Sequence, residues 1–366
     1  MRVLVAPDKL KGSLSASQAA AAMARGVERF GRSVAEQLPL ADGGEGTLDA
    51  LMNARGGTLH RVRVRDARGR PVEARIGVLD QGRTAVVESA DAIGLARLAP
   101  QDRRALDATS FGVGELVRAA LDLGARRIVV ALGGSATNDG GAGALQALGA
   151  VLRGAPCPAC ARDLTNVSAV DVSAMDPRLS TIELVALCDV DSPLTGPEGA
   201  TRVFGPQKGL DPSDTLPLDR ALDRFASHFN FDPRALGAGA AGGLGFGLAA
   251  AAGGRLVGGA DYVLDSVAFD ERAARADLVL TAEGRLDAQS LAGKLVVRLG
   301  QRAARLGIPV VALAGRLDVD RTALAQHGIV AAHELSSRDT PESESMARAS
   351  ELLERAAERA VRDFDT

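Results

Sequence analysis

The chain has 366 residues, a length that fits about two domains, and its 46% hydrophobic and 24% charged residues are those of an ordinary globular protein. A net charge of −3 supplies no basic patch for nucleic acid, and 3% aromatic residues with no Trp supply no platform on which single-stranded bases could stack. The core must therefore be built from Ala, Val and Leu.

The opening, MRVLVAPDKLKGS, carries an apolar run too short for a signal peptide and turns polar at Pro7-Asp8. No apolar run is long enough to span a bilayer. Three cysteines, an odd number in a large chain, fit a reducing compartment. The expectation is a cytoplasmic protein without a membrane partner.

In chain order, the first segment reads as strand Val3–Ala6, helix Ser15–Phe30, strand Ala35–Leu38 and helix Glu45–Arg55. Ser15 or Ser13 would cap the first helix, whose alanine-rich run favours helical backbone. From Gly57 to Ser89 the texture changes. Alternation in His60-Arg-Val-Arg-Val-Arg65 and the turn signals at Asp66–Gly69 and Asp80–Gly82 predict antiparallel hairpins. A helix near Gly112–Leu123, a strand at Arg127–Val130, a glycine loop, a helix from about Gly141 and a strand at Ile182–Leu187 follow. Gly237–Gly259 is mostly Gly and Ala. The last quarter alternates strands (Leu278–Thr281, Val310–Ala314, Ile329–Ala332) with helices (Ser290–Leu306, Arg321–Gln326, Glu344–Phe364). In the last helix Met346, Ala349, Leu353, Ala356, Ala360 and Phe364 form one apolar stripe.

Two β-α units thus open the chain and three close it. Together they predict a five-stranded parallel sheet covered by helices on both faces, built from residues 1–56 and 276–366. Residues 57–275 would form a second α/β domain inserted into the first.

Ligands of parallel sheets bind beyond the carboxyl ends of the strands. Five such ends carry acids among small residues: Asp8 in PDKLKGS, Asp42 and Glu45 in ADGGEGT, Asp139 in LGGSATNDGG, Asp189 and Asp191 in CDVDSP, and Glu283 and Asp287 in AEGRLD. One acidic loop is commonplace; five point to a shared cleft.

The loop Ala131–Ala150 fits phosphate binding. A helix N-terminus offers unpaired N–H groups, Gly133 and Gly134 permit close backbone approach, and Ser135, Thr137 and Asn138 can donate. Asp139 would repel phosphate, so it caps the helix or holds a cation through water. A tight strand-to-helix turn with an Asx cap is the plainer alternative. No GxxxxGK[ST] occurs, and the glycines at 133, 134, 140, 141 and 143 do not match GxGxxG. Asp189 and Asp191 have the spacing for Mg²⁺ shared with phosphates, or are simply turn aspartates before Pro193. Lys11 and Lys208 are partners for phosphate or carboxylate, or solvated surface charges. Cys157-Pro-Ala-Cys160 lacks a second Cys pair and a nearby histidine, and reads as a loop with two free thiols rather than half a zinc site.

Taken together, APDKLKGSLSA, PLADGGEGTLDAL, ALGGSATNDGGAGALQALG, CDVDSPLTGPEGATRVFGPQKG, GAGAAGGLGFGL and TAEGRLDAQSLAGK resemble the bacterial glycerate kinase family, a kind unrelated to the P-loop and sugar kinases. The resemblance runs in order from Met1 to about His333. It departs from the family pattern at Lys9-Leu10, usually Ser-Phe, and at Ala282, usually Gly. It implies a flavodoxin-like (Rossmann-like) parallel-sheet domain with a second α/β domain inserted, the active site lying in the cleft between them. It also implies ATP-dependent phosphorylation of D-glycerate, with 2-phosphoglycerate the usual product. Apart from the resemblance, a monomer or homodimer is expected.

Phosphoryl transfer needs positioning, charge neutralisation and a proton acceptor. On that basis Gly133, Gly134, Ser135, Thr137, Asn138 and Lys208 are assigned to ATP, and Asp189 and Asp191 to Mg²⁺. Asp8, Lys11, Asp42 and Asp189 are the catalytic candidates, with Asp42 or Asp8 as the base. Glu45, Glu283 and Arg285 are assigned to the substrate. A kinase of a related hydroxy acid, a 3-phosphoglycerate-forming enzyme and a nucleotide-binding regulator are the alternatives.

Overall fold

A computed structural model describes residues 1–291, 293–337 and 339–365, with the side chain of Gln289 left aside. The strands, in chain order, are β1 (Arg2–Val5), β2 (Val34–Gln37), β3 (Thr58–Arg65), β4 (Pro71–Leu79), β5 (Thr84–Glu88), β6 (Arg127–Ala131), β7 (Val151–Arg153), β8 (Ala169–Asp171), β9 (Glu183–Cys188), β10 (Arg255–Gly258), β11 (Leu278–Leu286), β12 (Val310–Leu317) and β13 (Ile329–Glu334). They belong to two compact units. The first comprises Met1–Asp42, Asp49–Ala54 and Ala260–Thr366, and the second Gly43–Leu48 and Arg55–Gly259.

The first unit contains a fully parallel sheet in the order β13-β12-β11-β1-β2. Renumbered within the unit, that order is 2-1-3-4-5 read from the far edge, the doubly wound flavodoxin arrangement, whose switch point lies between β1 and β11. Its central strands β1, β11 and β12 are apolar and largely buried because helices cover the sheet, while the edge strand β2 is exposed. Val3, Val5, Leu278, Leu280, Val311 and Leu313 pack against Met23 and Val27 of helix Ala16–Arg29 and against Leu353 and Ala356 of helix Ala349–Phe364. The helix at Ala16 starts where the chain says it should. The Ser15 hydroxyl accepts from Gln18 N–H, and the Gln18 side chain accepts from Ser15 N–H, a complete capping box.

The second unit is built on a six-stranded sheet in the order β10-β9-β6-β5-β4-β3. β10, β9, β6 and β5 are parallel, and the hairpin strands β4 and β3 extend the edge antiparallel, as the alternation in 60–65 predicts. The few aromatics gather here: Phe225, Phe229, Phe231 and Phe246 meet edge to face with centroids 5.2–5.8 Å apart.

Several elements differ from the sequence expectation. β11 and β12 run on to Leu286 and Leu317. The helix expected at Ser290–Leu306 is two pieces, Ala288–Leu291 and Leu295–Arg305; Ala292, inside that range, lies outside the described residues. The final helix breaks at Arg348, where the backbone leaves the helical region, so Met346 and Phe364 stay partly exposed while Ala349 to Val361 form the buried stripe. β7 and β8 pair as a separate two-stranded sheet, and β10 emerges at the end of the Gly/Ala stretch. Among the described residues no helix is long and apolar enough to cross a membrane.

Candidate active site

In the first unit the ionisable side chains gather where the sheet order reverses. Asp8 lies just past β1, and its N–H donates to Ala282 O of β11 at 3.0 Å, which fixes the loop against the neighbouring strand. Asp42 follows β2, and Glu283 is part of β11. The Lys9 ammonium stands 3.9 Å from Asp8 Oδ1 and 3.8 Å from Asp42 Oδ1. The Lys294 ammonium stands 3.6 Å from Glu283 Oε1.

Only 13% of the Asp8 side chain and 17% of the Glu283 side chain is exposed. Burial disfavours the charged form and like charges add to it. Asp8 is pushed up to about 7, by burial first, then by Asp42 and Glu283, against the pull of Lys9. Glu283 is likewise raised to about 7 by burial and by Asp42 and Asp287, with Lys294 opposing. Two buried carboxyl groups pushed up to about 7 at one end of the sheet mark a candidate proton-handling site.

Two other sequence candidates stand at its margin. Lys11 is exposed, its backbone running beside Gly284 of β11. Arg285 is exposed and engaged by acids of its own, Asp318 at 2.7 Å and Asp287 at 3.7 Å.

In the second unit the glycine loop follows β6, the third strand of a parallel run. Gly133 has no room for a side chain: a Cβ there would lie 2.6 Å from Gly44 Cα. Glu88, the last residue of β5, is buried and accepts from Gly46 N–H (2.9 Å) and Leu48 N–H (2.8 Å). It thereby ties the Gly43–Leu48 segment to the sheet. Glu45 on that segment is exposed, its Oε2 near the space beside Gly134.

The loop separates into a front and a back. Gly133 and Gly134 reach the surface. Among the described residues no acceptor faces the N–H groups of Gly133, Gly134 and Ser135. Behind them Thr137, Asn138 and Asp139 are fully buried. The Thr137 hydroxyl donates to Ala241 O and the Asn138 amide to Thr201 Oγ1 (2.9 Å). Asp139 accepts from Ser110 N–H and Oγ–H, both at 2.8 Å, and from Gly141 and Gly143 N–H at 3.2 Å. The helix that follows, Ala142–Ala147, has its N-terminal donors occupied: Ala142 N–H by Asp139 O, Gly143 N–H by the Asp139 carboxylate and Ala144 N–H by Ser110 Oγ. The expected free helix N-terminus is absent for this reason, and Asp139 makes capping contacts.

Lys208 is 4% exposed and enters the loop from another element. Its ammonium donates to Thr137 O at 2.7 Å and lies 3.4 Å from Ser135 Oγ. Burial lowers it to about 8, with Asp139 opposing. The structure thus brings Gly133, Gly134, Ser135 and Lys208 together and sets Thr137 and Asn138 behind them.

Asp189 and Asp191 follow β9 and are exposed. With burial, they push the adjacent Cys188 thiol up to about 12. Among the described residues no group of three or more His, Cys, Asp or Glu could hold a metal unaided. Two exposed carboxylates two residues apart still fit Mg²⁺, which takes one or two protein carboxylates and fills its shell with water and phosphate oxygens. Cys157 and Cys160 are free thiols: Cys160 donates to Asp163 Oδ2 at 3.0 Å, burial pushes its thiol up to about 12, and Cys157 is exposed.

Glu88, Lys294, Ser110 and Thr201 carry these arrangements, and the sequence patterns do not single them out. Lys294 closes the TAEGRLDAQSLAGK motif, and an acid ending the buried run TAVVE is the one local sign of Glu88.

A flavodoxin-ordered sheet with buried carboxyls at its switch point, a second unit with a parallel run of strands and a lysine-backed glycine turn, and no GxxxxGK[ST] in the chain fit an α/β phosphotransferase outside the P-loop class. Comparison with known proteins names the group. The glycerate kinase family matches residues 3–365, and the chain belongs to it. It is 43% identical to a glycerate kinase of Bacillus subtilis over 98% of this chain and 96% of the relative. It is 40% identical to the glycerate 2-kinase of Escherichia coli over 90% of this chain and 89% of the relative. A crystal structure of a putative glycerate kinase 2 from Salmonella typhimurium LT2 superposes with a TM-score of 0.83 at 38% identity, covering 100% of this chain and 98% of the other. As a kinase family member the protein is an enzyme with ATP as co-substrate.

Proposed function

We propose that this enzyme transfers the γ-phosphoryl group of ATP to the 2-hydroxyl of D-glycerate, giving 2-phosphoglycerate and ADP. The observation that supports the reading is the Asp8–Asp42–Glu283 group at the sheet's switch point, whose buried Asp8 and Glu283 carboxyls are pushed up to about 7. Asp8 is the base. A carboxyl at about 7 is half ionised at neutral pH, the condition in which a proton acceptor combines availability with driving force. As the glycerate oxygen bonds to the γ-phosphorus, the bond from that phosphorus to the bridging oxygen of ADP breaks, and the hydroxyl proton passes to Asp8. Asp42 stands beside Asp8 across Lys9. Glu283 hydrogen-bonds a glycerate hydroxyl, and Lys11 or Arg285 meets the glycerate carboxylate.

On the ATP side, the N–H groups of Gly133, Gly134 and Ser135 and the Lys208 ammonium receive phosphate oxygens. Thr137 and Asn138 hold the turn from behind. Glu45, a carboxylate beside the turn, suits a hydroxyl of the substrate rather than phosphate. Asp189 and Asp191 would hold Mg²⁺, which when bound screens phosphate charge.

The test is ³¹P NMR of purified protein with ATP, Mg²⁺ and D-glycerate. A 2-phosphoglycerate resonance is expected. A 3-phosphoglycerate resonance would keep the kinase and reverse the substrate pose. Absence of transfer with ATP still bound would overturn the substrate and favour a related hydroxy acid or a nucleotide-binding regulator.

A further inference from the structure

Lys9 takes no part in the transfer chemistry above, yet its side chain is placed where it matters most. It is the residue directly after Asp8, and its N–H donates to Asp8 Oδ1 at 2.6 Å. Its ammonium reaches back to stand within 4 Å of two carboxylates that belong to different strand ends, Asp8 after β1 and Asp42 after β2. One quarter of its side chain is exposed, so the charge lies at the mouth of the acid group and not on the open surface.

Without a cation at that place the loop would bring Asp8, Asp42 and Glu283 together, with Lys294 set against Glu283. Like charges so arranged hold on to protons and push their loops apart. The groups facing Asp8 are Asp42 from the loop after β2, Glu283 from β11 and Lys9 itself; Lys294, Asp42 and Asp287 face Glu283.

We propose that Lys9 is a positioning residue for the transfer step, bridging Asp8 and Asp42 so that the Asp8 carboxyl is held in place and kept able to accept the substrate proton. The inference rests on the reading of Asp8 as base. An electrostatic bridge makes a prediction that a packing role does not. Neutralising Lys9 raises the pH at which Asp8 ionises, so activity is lost at low pH and returns at high pH.

The experiment is the pH profile of kcat/KM for Lys9→Met and Lys9→Arg, with melting temperature as a control for folding. In the wild type the acid limb should fall near pH 7. In Lys9→Met it should move up by about one pH unit, the lower end of what an opposite charge at this range does. Turnover then falls about tenfold at pH 6 and stays within about twofold at pH 9, with KM for ATP unchanged. Lys9→Arg should restore the wild-type limb. A limb that does not move, or a loss equal at every pH, overturns the proposal. The ¹³C titration of the Asp8 carboxyl in the two proteins supplies a second readout that does not depend on turnover. It should shift upward in Lys9→Met, and an unshifted titration sinks the inference. Failure of the wild type to phosphorylate glycerate would reject the proposed reaction, while this titration would still judge Lys9.

Discussion

The two units face the same difficulty, an ionisable side chain held out of water, and resolve it in opposite ways. In the first, acids crowd one strand-end region and retain protons: Asp8 and Glu283 are both pushed up to about 7, with Lys9 and Lys294 as partial counter-charges. In the second, a single lysine is buried in a turn and held by neutral oxygens, the Thr137 carbonyl and the Ser135 hydroxyl, so that its charge is left over for a ligand. A site that must take a proton profits from a group poised between two states. A site that must neutralise phosphate profits from a preformed cation with nothing of opposite sign in direct contact.

The comparison breaks most sharply at Asp8. Asp8→Asn removes the proton acceptor but keeps the shape, and kcat should fall about 10³-fold, within the range that a positioned base supplies. The melting temperature should hold or rise, because a buried acid among acids is lost. A variant retaining a tenth of wild-type turnover would move the base to Asp42.

Lys208→Met tests the other unit. The aliphatic stem is kept and the charge removed, so the effect should appear as weaker ATP use, about 10²-fold in kcat/KM for ATP, with the acid limb of the pH profile unmoved. An unchanged KM for ATP would remove Lys208 from the phosphate side. Asp189→Asn should raise the Mg²⁺ concentration needed for half-maximal rate by about tenfold, since one of two charged oxygens is lost. Wild-type turnover and wild-type Mg²⁺ dependence in that variant would make the metal assignment wrong.

Asp139→Ala separates structure from chemistry within one loop. Asp139 lies between the two kinds of residue, close to Lys208 yet committed to Ser110, Gly141 and Gly143. Its loss strands four donors and should cost about 3 kcal/mol of stability, roughly 6–12 °C in melting temperature for a unit of this size. A variant that melts like the wild type but fails to use ATP would make Asp139 a ligand after all.

These roles explain what the sequence could and could not disclose. Strands were legible where apolar runs ended in loops of small and acidic residues, because buried parallel strands are continuous in Val, Leu and Ala and their carboxyl ends are where polar chemistry collects. Asp8, Asp42 and Glu283 stand out on that ground alone. Their grouping was not legible, since sheet order brings Glu283 to Asp8 and Asp42, which precede it by 275 and 241 positions, and sets Lys9 and Lys294 against them. Within the glycine loop the difficulty is chemical ambiguity. Ser, Thr, Asn and Asp serve equally as phosphate donors and as turn or cap residues, and only the packed backbone shows that Thr137, Asn138 and Asp139 face inward. Gly242 is part of the reason: it sits at φ +69°, and a Cβ there would come within 2.0 Å of Thr137 O, so the stretch that reads as plain Gly and Ala is what closes the back of the loop. The short strands β7, β8 and β10 escape a sequence reading because three or four residues carry too little periodicity to detect.

The smallest effect discriminates best between the units, because its sign differs. Asp8 and Glu283 hold protons in the native state between their ordinary values of 3.8 and 4.5 and about 7, where the unfolded chain has released them. The native state binds more protons in that window, so stability should decline as pH rises from about 4 to 7 and level off above. Lys208 is the reverse case. Between about 8 and its ordinary 10.5 the unfolded chain keeps a proton that the native lysine has given up, so stability should climb through that range. Each change is a few kcal/mol at most, at about 1.4 kcal/mol per pH unit between the two values. Urea melts across pH 4–10 would show a shallow trough between the two slopes. Glu283→Gln should flatten the acidic slope alone and Lys208→Met the alkaline slope alone. If both variants flattened both slopes, the charges would belong to one coupled network, and the contrast between a proton-retaining unit and a cation-presenting unit would fall.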